Sequence, residues 1–280
     1  IERLAFADCG IESITVSNQG YIGNEAFARC IGVQSVEISN QGDLGKNAFE
    51  SCNGNQTVAV ISNQGNIGEK AFFSYVGMKS VYISSQGNIE SYSFNECTDL
   101  QTATIENVGT IGASAFSGCT SLTTATIGNE ISGIYSYAFY NCTSLQSVNI
   151  PNSVETLGNS SFEKCTAMES SSIGTGVTTL RERTFYGCEE LKTVKLGENI
   201  TSIYKNAFNG CKKLIEINLP ESTQSIKEAA FQNCASITEI IIPSATETIE
   251  GFVFAGCKSL QNVIIKDRTT PLTLGCNDDS

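Results

Sequence analysis

The 280-residue chain contains no histidine and no tryptophan. Without an imidazole, neither a Ser-His-Asp nor a Cys-His relay can be assembled. Basic residues are scarce: 17 Lys and Arg face 29 Asp and Glu, a net charge of −12 with a pI near 4.5. Such a surface repels phosphate backbones and anionic headgroups, which excludes nucleic acid and anionic membranes as partners. No apolar run approaches the ~20 residues of a spanning helix, so no membrane insertion is expected of this stretch. Twelve cysteines are present, yet no Cys-x-x-Cys occurs. With no His to help, a metal site is not expected. No motif calls for a cofactor. No leader peptide is visible, but the chain opens on Ile1, which falls in mid-repeat. It is therefore expected to be a fragment or processed piece.

What is present is a repeat. Phe6, Phe27, Phe49, Phe72, Phe94, Phe116, Phe139, Phe162, Phe185, Phe208, Phe231 and Phe254 recur every 21 to 23 residues. A cysteine follows three residues after each, except after Phe72, where Tyr75 stands. Such regularity means a solenoid whose coils bury their apolar sides on one another. One continuous solenoid of about twelve coils over residues 1–280 is expected, with 265–280 as a partial closing segment.

Within a coil, Cys142, Leu145, Val148 and Ile150 lead into a short strand in which Val148 and Ile150 point inward while Ser147 and Asn149 point outward. A turn follows, and then Leu157, Ser161, Phe162 and Cys165 at helical spacing. One strand and one short α- or 3₁₀-helical piece per coil are predicted. The strands pair in parallel, and the bulkier helices force the sheet onto a concave inner side. The fold class is thus an α/β solenoid, a horseshoe with a concave parallel sheet and short helical segments on the convex face.

The pattern Ile-Gly-x-x-Ala-Phe-x-x-Cys-x-x-Leu stands in Ile111-Gly112, Ala115-Phe116, Cys119 and Leu122. Its second half stands in Cys234, Ile237, Ile240 and Ile242-Pro243. It resembles the BspA-like class of leucine-rich repeats over essentially the whole chain. The resemblance implies a surface or secreted protein of bacteria or protists, some members being adhesins. A non-catalytic protein-binding or adhesion module with a host or cell-surface protein partner is the leading expectation. A structural or scaffolding repeat without its own ligand is the alternative. No catalytic, cofactor or metal residue carries over.

Early coils depart from the pattern. Ser17-Asn18-Gln19-Gly20, Ser39-Asn40-Gln41-Gly42, Ser62-Asn63-Gln64-Gly65 and Ser84-Ser85-Gln86-Gly87 replace the Pro-x-x-Val turn. Two coil subtypes are expected, meeting near 107–131, with a change of curvature there. The first coil should lack a cap. Leu272 is placed in the apolar column of the closing segment, ahead of the acidic tail 277–280.

The eleven column cysteines read as a file of buried free thiols, with Cys276 outside it and more exposed. Outward strand residues form two columns. The first holds Ser35, Thr57, Ser80, Thr102, Thr124, Ser147, Ser170 and Thr193. The second holds Glu37, Ala59, Tyr82, Thr104, Thr126, Asn149, Ser172 and Lys195. Small hydroxyls suit a merely soluble sheet surface, and the face lacks the aromatic and Arg anchors of protein hot spots. In the last coils Ile240-Ile241-Ile242 and Val263-Ile264-Ile265 break the alternation. They place Ile241 and Ile264 outward together, rimmed by Lys195, Glu216, Asn218, Glu239 and Asn262. An apolar pair in a polar rim marks a contact site unless the closing segment covers it. This patch is the candidate partner-binding site. Thr102/Thr104 beside Thr124/Thr126 form too small an array for ice binding. Asn55, Asn141, Asn159 and Asn199 head glycosylation sequons that act only in a eukaryotic secretory route.

Overall fold

A computed structural model describes residues 1–17, 19–55, 59–106 and 108–275. Asn18, Thr57, Asn107, Cys276 and the acidic tail lie outside the described residues. Ten short strands form one parallel sheet in chain order: Ser13–Val16, Ser35–Ile38, Ala59–Ile61, Ser80–Ile83, Thr102–Ile105, Thr124–Ile127, Ser147–Ile150, Ser170–Ile173, Thr193–Lys195 and Glu216–Ile217. Glu239–Ile242 and Asn262–Ile265 form a separate parallel pair. Alternation along the strands sends β-branched residues inward. In Ser147–Ile150, Val148 and Ile150 are buried while Ser147 and Asn149 are exposed.

A second parallel ladder runs along another side of the coil. It starts as single bridges joining Ile22, Leu44, Ile67, Ile89 and Ile111. It continues as two short sheets, Gly109–Ile111 through Thr156–Leu157 and Thr179–Leu180 through Thr273–Leu274. Ile1 belongs to this column, because its carbonyl accepts from Gly23 N–H as Ile22 accepts from Gly45.

The expected helical segments are absent among the described residues. Overlapping turns occupy their place. Ala138 N–H bonds Tyr135 O, Tyr140 bonds Tyr137 O, and Cys142 bonds Phe139 O. Tyr137 and Asn141 adopt left-handed φ of 60° and 58°. The intervening N–H groups leave the coil: Tyr137, Phe139 and Asn141 donate to Asn159, Ser161 and Glu163 at 2.8–2.9 Å. A helix is ~10 Å across, about twice the ~4.8 Å strand spacing. Turns fit that spacing and lend their backbone to the next coil. Turns also return every third or fourth side chain to the same side, so periodicity alone could not tell them from a helix. The concave-sheet expectation loses the basis on which it rested.

Inside, the twelve phenylalanine rings stack in one file with planes within 11° of parallel. Rings at this spacing bury their faces on each other, and removing one from the middle costs ~3–5 kcal/mol. Centroid spacings are 4.9–5.1 Å from Phe6 to Phe116. From Phe116 to Phe254 they widen to 5.2–5.8 Å. The change falls in the 107–131 region where the turn type changes.

The thiols follow the rings. Each column cysteine from Cys30 to Cys257 donates its S–H to the carbonyl of a phenylalanine one coil back, as Cys142 does to Phe116 at 3.2 Å. All eleven described cysteines are free, and all but Cys9 and Cys257 are buried. Tyr75 fills the gap in the file fully buried, with its hydroxyl unpartnered. At the first coil Leu4 and Phe6 are exposed.

Two placements differ from expectation. Ala59 pairs with Val36 and points inward, so Val60 takes the outward position between Glu37 and Tyr82. One extra residue between Cys52 and this strand shifts the alternation, and a shift of one flips every side chain. In the closing segment Leu274, not Leu272, occupies the ladder column, opposite Ile249.

Candidate binding site on the strand face

The outward columns are built by register. Ser170 pairs Thr193 and Ser172 pairs Lys195, while Thr193 pairs Glu216. Lys195 is the one cation among the described outward strand residues. Beyond Val194 and Ile217 the ladder stops, and among the described residues no ladder pair joins Glu216–Ile217 to Glu239–Ile242. At this fault the strand face opens.

A cleft of ≈ 500 Å³ lies there, lined by Ser171, Val194, Lys195, Glu198, Glu216 and Asn218 over a floor that includes Leu196, Leu219 and Pro220. A second, of ≈ 410 Å³, shares Lys195, Leu196 and Glu198 with it and extends past Ser172, Asn152 and Asn149 to Asn129. Asn218 Nδ2 donates to Glu216 Oε1 at 2.8 Å, which fixes that carboxylate. Ser171 is only 7% exposed, and its hydroxyl has no partner. An orphan buried hydroxyl costs about 1–3 kcal/mol.

The seven expected site residues divide between two places. Lys195, Glu216 and Asn218 line the cleft. Glu239, Ile241, Asn262 and Ile264 lie on the separate strand pair, where Glu239 faces Asn262 and Ile241 faces Ile264. Ile241 is 38% and Ile264 45% exposed, and the described part of the closing segment leaves them open. Asn262 Nδ2 donates to Glu239 Oε2 at 3.4 Å. Every residue of Asn262–Ile265 is exposed, including Val263 and Ile265, which the alternation assigns inward.

Sequence reading missed Ser171 and Glu198. Ser171 carried a legible signal. In its column stand Ile14, Val36, Ala59, Val81, Ala103, Ala125, Val148, Val194, Ile217 and Ile240, all apolar and buried. Glu198 sits in the turn after its strand, where an acid looks like any solvated residue.

Other candidates remain as surface features. Thr102 and Thr104 do face Thr124 and Thr126 across adjacent strands. Asn159 and Asn199 are exposed, and Asn199 Nδ2 donates to Thr175 O at 2.8 Å. The Asn55 sequon runs into residues outside the described set. Among the described residues no group of three His, Cys, Asp or Glu could hold a metal ion, and no helix is long and apolar enough to cross a membrane.

Comparison with known proteins places these features in a family. Residues 1–108, 87–214 and 166–276 match the BspA type leucine rich repeat region, in six copies. A leucine-rich repeat protein from Bacteroides ovatus is 25% identical over 92% of this chain and 74% of its own, with a TM-score of 0.66. The T. pallidum leucine rich repeat protein is 25% identical over 56% of this chain and 77% of its own, at 0.51. One from Eubacterium ventriosum is 19% identical over 94% and 86%, at 0.56, a likeness of fold. Among curated proteins none matches. The chain belongs to the BspA-type leucine-rich repeat family, and its fold is a parallel β-solenoid of leucine-rich-repeat type.

Proposed function

We propose that the chain is a non-catalytic protein-binding or adhesion module of a cell-surface or secreted protein, and that residues 1–280 work as one solenoid of about twelve coils. Its partner docks on the strand face between Lys195 and Ile264. The observation that carries this is the Ile241–Ile264 pair, exposed on a sheet and rimmed by Glu239 and Asn262, directly beyond a cleft. An apolar centre with a polar rim is the anatomy of a protein contact. Surface display follows from the family resemblance. The absence of histidine supports a role without catalysis.

The test is Ile241→Glu with Ile264→Glu, measured by surface plasmon resonance against immobilised matrix and cell-surface proteins. Binding should be abolished. Unfolding temperature should stay within about 2 °C, since exposed substitutions change stability little. Unaltered binding refutes the patch, and no binding by the parent chain leaves the scaffold role.

A further inference from the structure

We propose that a second copy of this chain stacks head to tail on the first, its opening coil packing onto the coil of Phe254. The inference does not depend on the partner patch, because it uses the two end faces of the solenoid and not the strand face.

The joint between coils sets what a stacked copy must supply. In the phenylalanine turn each coil donates three N–H groups forward, as Glu25, Phe27 and Arg29 do to the carbonyls of Lys46, Ala48 and Glu50 at 2.8–2.9 Å. The matching donors of the last such turn are Phe252, Phe254 and Gly256, and among the described residues they find no acceptor. The matching acceptors of the first turn are the carbonyls of Arg3, Ala5 and Ala7. Those of Arg3 and Ala5 accept nothing among the described residues. The thiol file is interrupted in the same complementary way. Cys9 has no phenylalanine carbonyl behind it and turns to Ala7 O of its own coil at 3.6 Å, while among the described residues Phe254 O receives no thiol. Each end holds the half that the other lacks.

The side chains at the two ends follow suit. Phe6 is exposed at one end and Val263 and Ile265 at the other, although their columns are buried throughout the middle of the stack. A further column is specific to the ends. Two residues before the phenylalanine, every coil holds one residue in the left-handed region, at φ of 54–61°. The coils between use Glu, Asn, Lys, Tyr, Ser, Arg or Ala there, and only the two end coils use Leu or Phe: Leu4, 41% exposed, and Phe252, 60% exposed. A bulky side chain is an outlier at such φ. In a head-to-tail stack Leu4 of one copy follows Phe252 of the other at coil spacing, roughly 5 Å, so the two cover each other.

One overlap limits the strength of the joint. Leu274 occupies the ladder place that Ile1 of the next copy takes. It is exposed, and its strand is tied down by two N–H bonds, Thr273 to Glu247 O and Gly275 to Ile249 O, each at 2.8 Å. The closing segment therefore competes with the incoming copy and yields to it. The charge of −12 on each copy opposes the joint as well. Because head and tail are different surfaces, the contact is heterologous and adds copies in a row.

Sedimentation velocity of the intact chain over a concentration series tests this. The parent should form dimers and longer rows, more of them at high salt, which screens the like charges. Leu4→Asp blocks the head and Phe252→Asp the tail. Asp tolerates positive φ better than either residue it replaces, so both variants should unfold at the parent's temperature or above. Each should sediment alone as a monomer. An equimolar mixture of the two should form dimers and nothing longer, since one intact head then meets one intact tail. Thr273→Pro removes one of the two N–H bonds of the closing segment and should tighten the joint about fivefold. A parent that stays monomeric overturns the proposal. Self-association of either single variant overturns it too, because it marks a symmetric contact or one through the Ile241–Ile264 patch. So does a mixture that stays monomeric, or a joint that Thr273→Pro loosens.

Discussion

The coils before Phe116 and those after it solve one problem by different means. Each coil must join its neighbour on the side away from the main sheet. The early coils use side chains. Asp43, Asn66 and Asn88 accept in succession from the N–H groups of Asn66, Asn88 and Thr110 at 2.7–3.0 Å. Asn40 and Asn63 turn buried amides onto the carbonyls of Gly42 and Gly65. The later coils extend the second ladder from single bridges into two-residue strands and turn through Pro151, Gly174, Gly197, Pro220 and Pro243. Rings stay within 5.1 Å of each other in the first half and spread to as much as 5.8 Å in the second. Side-chain clamps accompany the closely spaced early rings, and the fault that opens the cleft lies among the wider-spaced later coils.

The largest way to separate the halves is alkali. Burial raises the column thiols, with Cys52 and Cys97 pushed up to about 12. A thiol that stays protonated when folded favours the fold fully below its unfolded value, 9.0. That stability is lost as pH rises from 9 toward the folded values, by about 1.4 kcal/mol per pH unit for each thiol. Six buried thiols, Cys119, Cys142, Cys165, Cys188, Cys211 and Cys234, lie after Phe116, and three, Cys30, Cys52 and Cys97, before it. Stability by circular dichroism should collapse between pH 9 and 12, and hydrogen exchange should show the later coils opening first. A stability flat to pH 11 would contradict a dry file of thiols.

Next comes one close approach in the early half, between Gly54 and Gly77. A Cβ on Gly77, at φ 91°, would sit 1.6 Å from Gly54 O, whereas on Gly210, at φ 81°, it would meet nothing nearer than Gly187 Cα at 3.6 Å. Gly77→Ala must move backbone and should cost about 4 kcal/mol or more. Gly210→Ala carries only the left-handed strain, about 1 kcal/mol. Urea midpoints for the two variants decide it, and equal costs would mean that the coils at Gly54 and Gly77 part without penalty.

Much of the architecture was legible because it rests on columns. Phe and Cys at a fixed period must stack, and Val148 and Ile150 must face in. The turn segment was misread because Leu157, Ser161, Phe162 and Cys165 carry a spacing that helices and overlapping turns share. What decides between them is the ~4.8 Å allowed to each coil, a packing limit invisible in local periodicity. Ala59 was misplaced because a one-residue insertion leaves composition unchanged while flipping the strand. On the strand face, Lys195, Glu216 and Asn218 were found because outward columns can be read by alternation. Ser171 was overlooked because attention went to outward residues, although its column mates are all apolar. Glu198 lies in a turn, and only the end of the ladder at Val194 and Ile217 brings it into a cleft.

The smallest contrast tests the clamps themselves. Asn63 Nδ2 donates to Gly65 O at 2.8 Å and to Asn66 O at 3.2 Å, and its Oδ1 takes the Ser85 hydroxyl, with Asn63 and Ser85 themselves buried. Asn63→Ala orphans these partners and should cost about 1–3 kcal/mol. Pro151, at the corresponding corner of a later coil, contributes no donor, and its carbonyl still accepts from Val154 whatever side chain it bears. Pro151→Ala therefore acts mainly by freeing the unfolded chain and should cost about 0.4–1 kcal/mol. Urea unfolding of both variants gives the ratio. If Pro151→Ala proves the more damaging, the early coils are not held by their amides, and the closer spacing of their rings needs another cause.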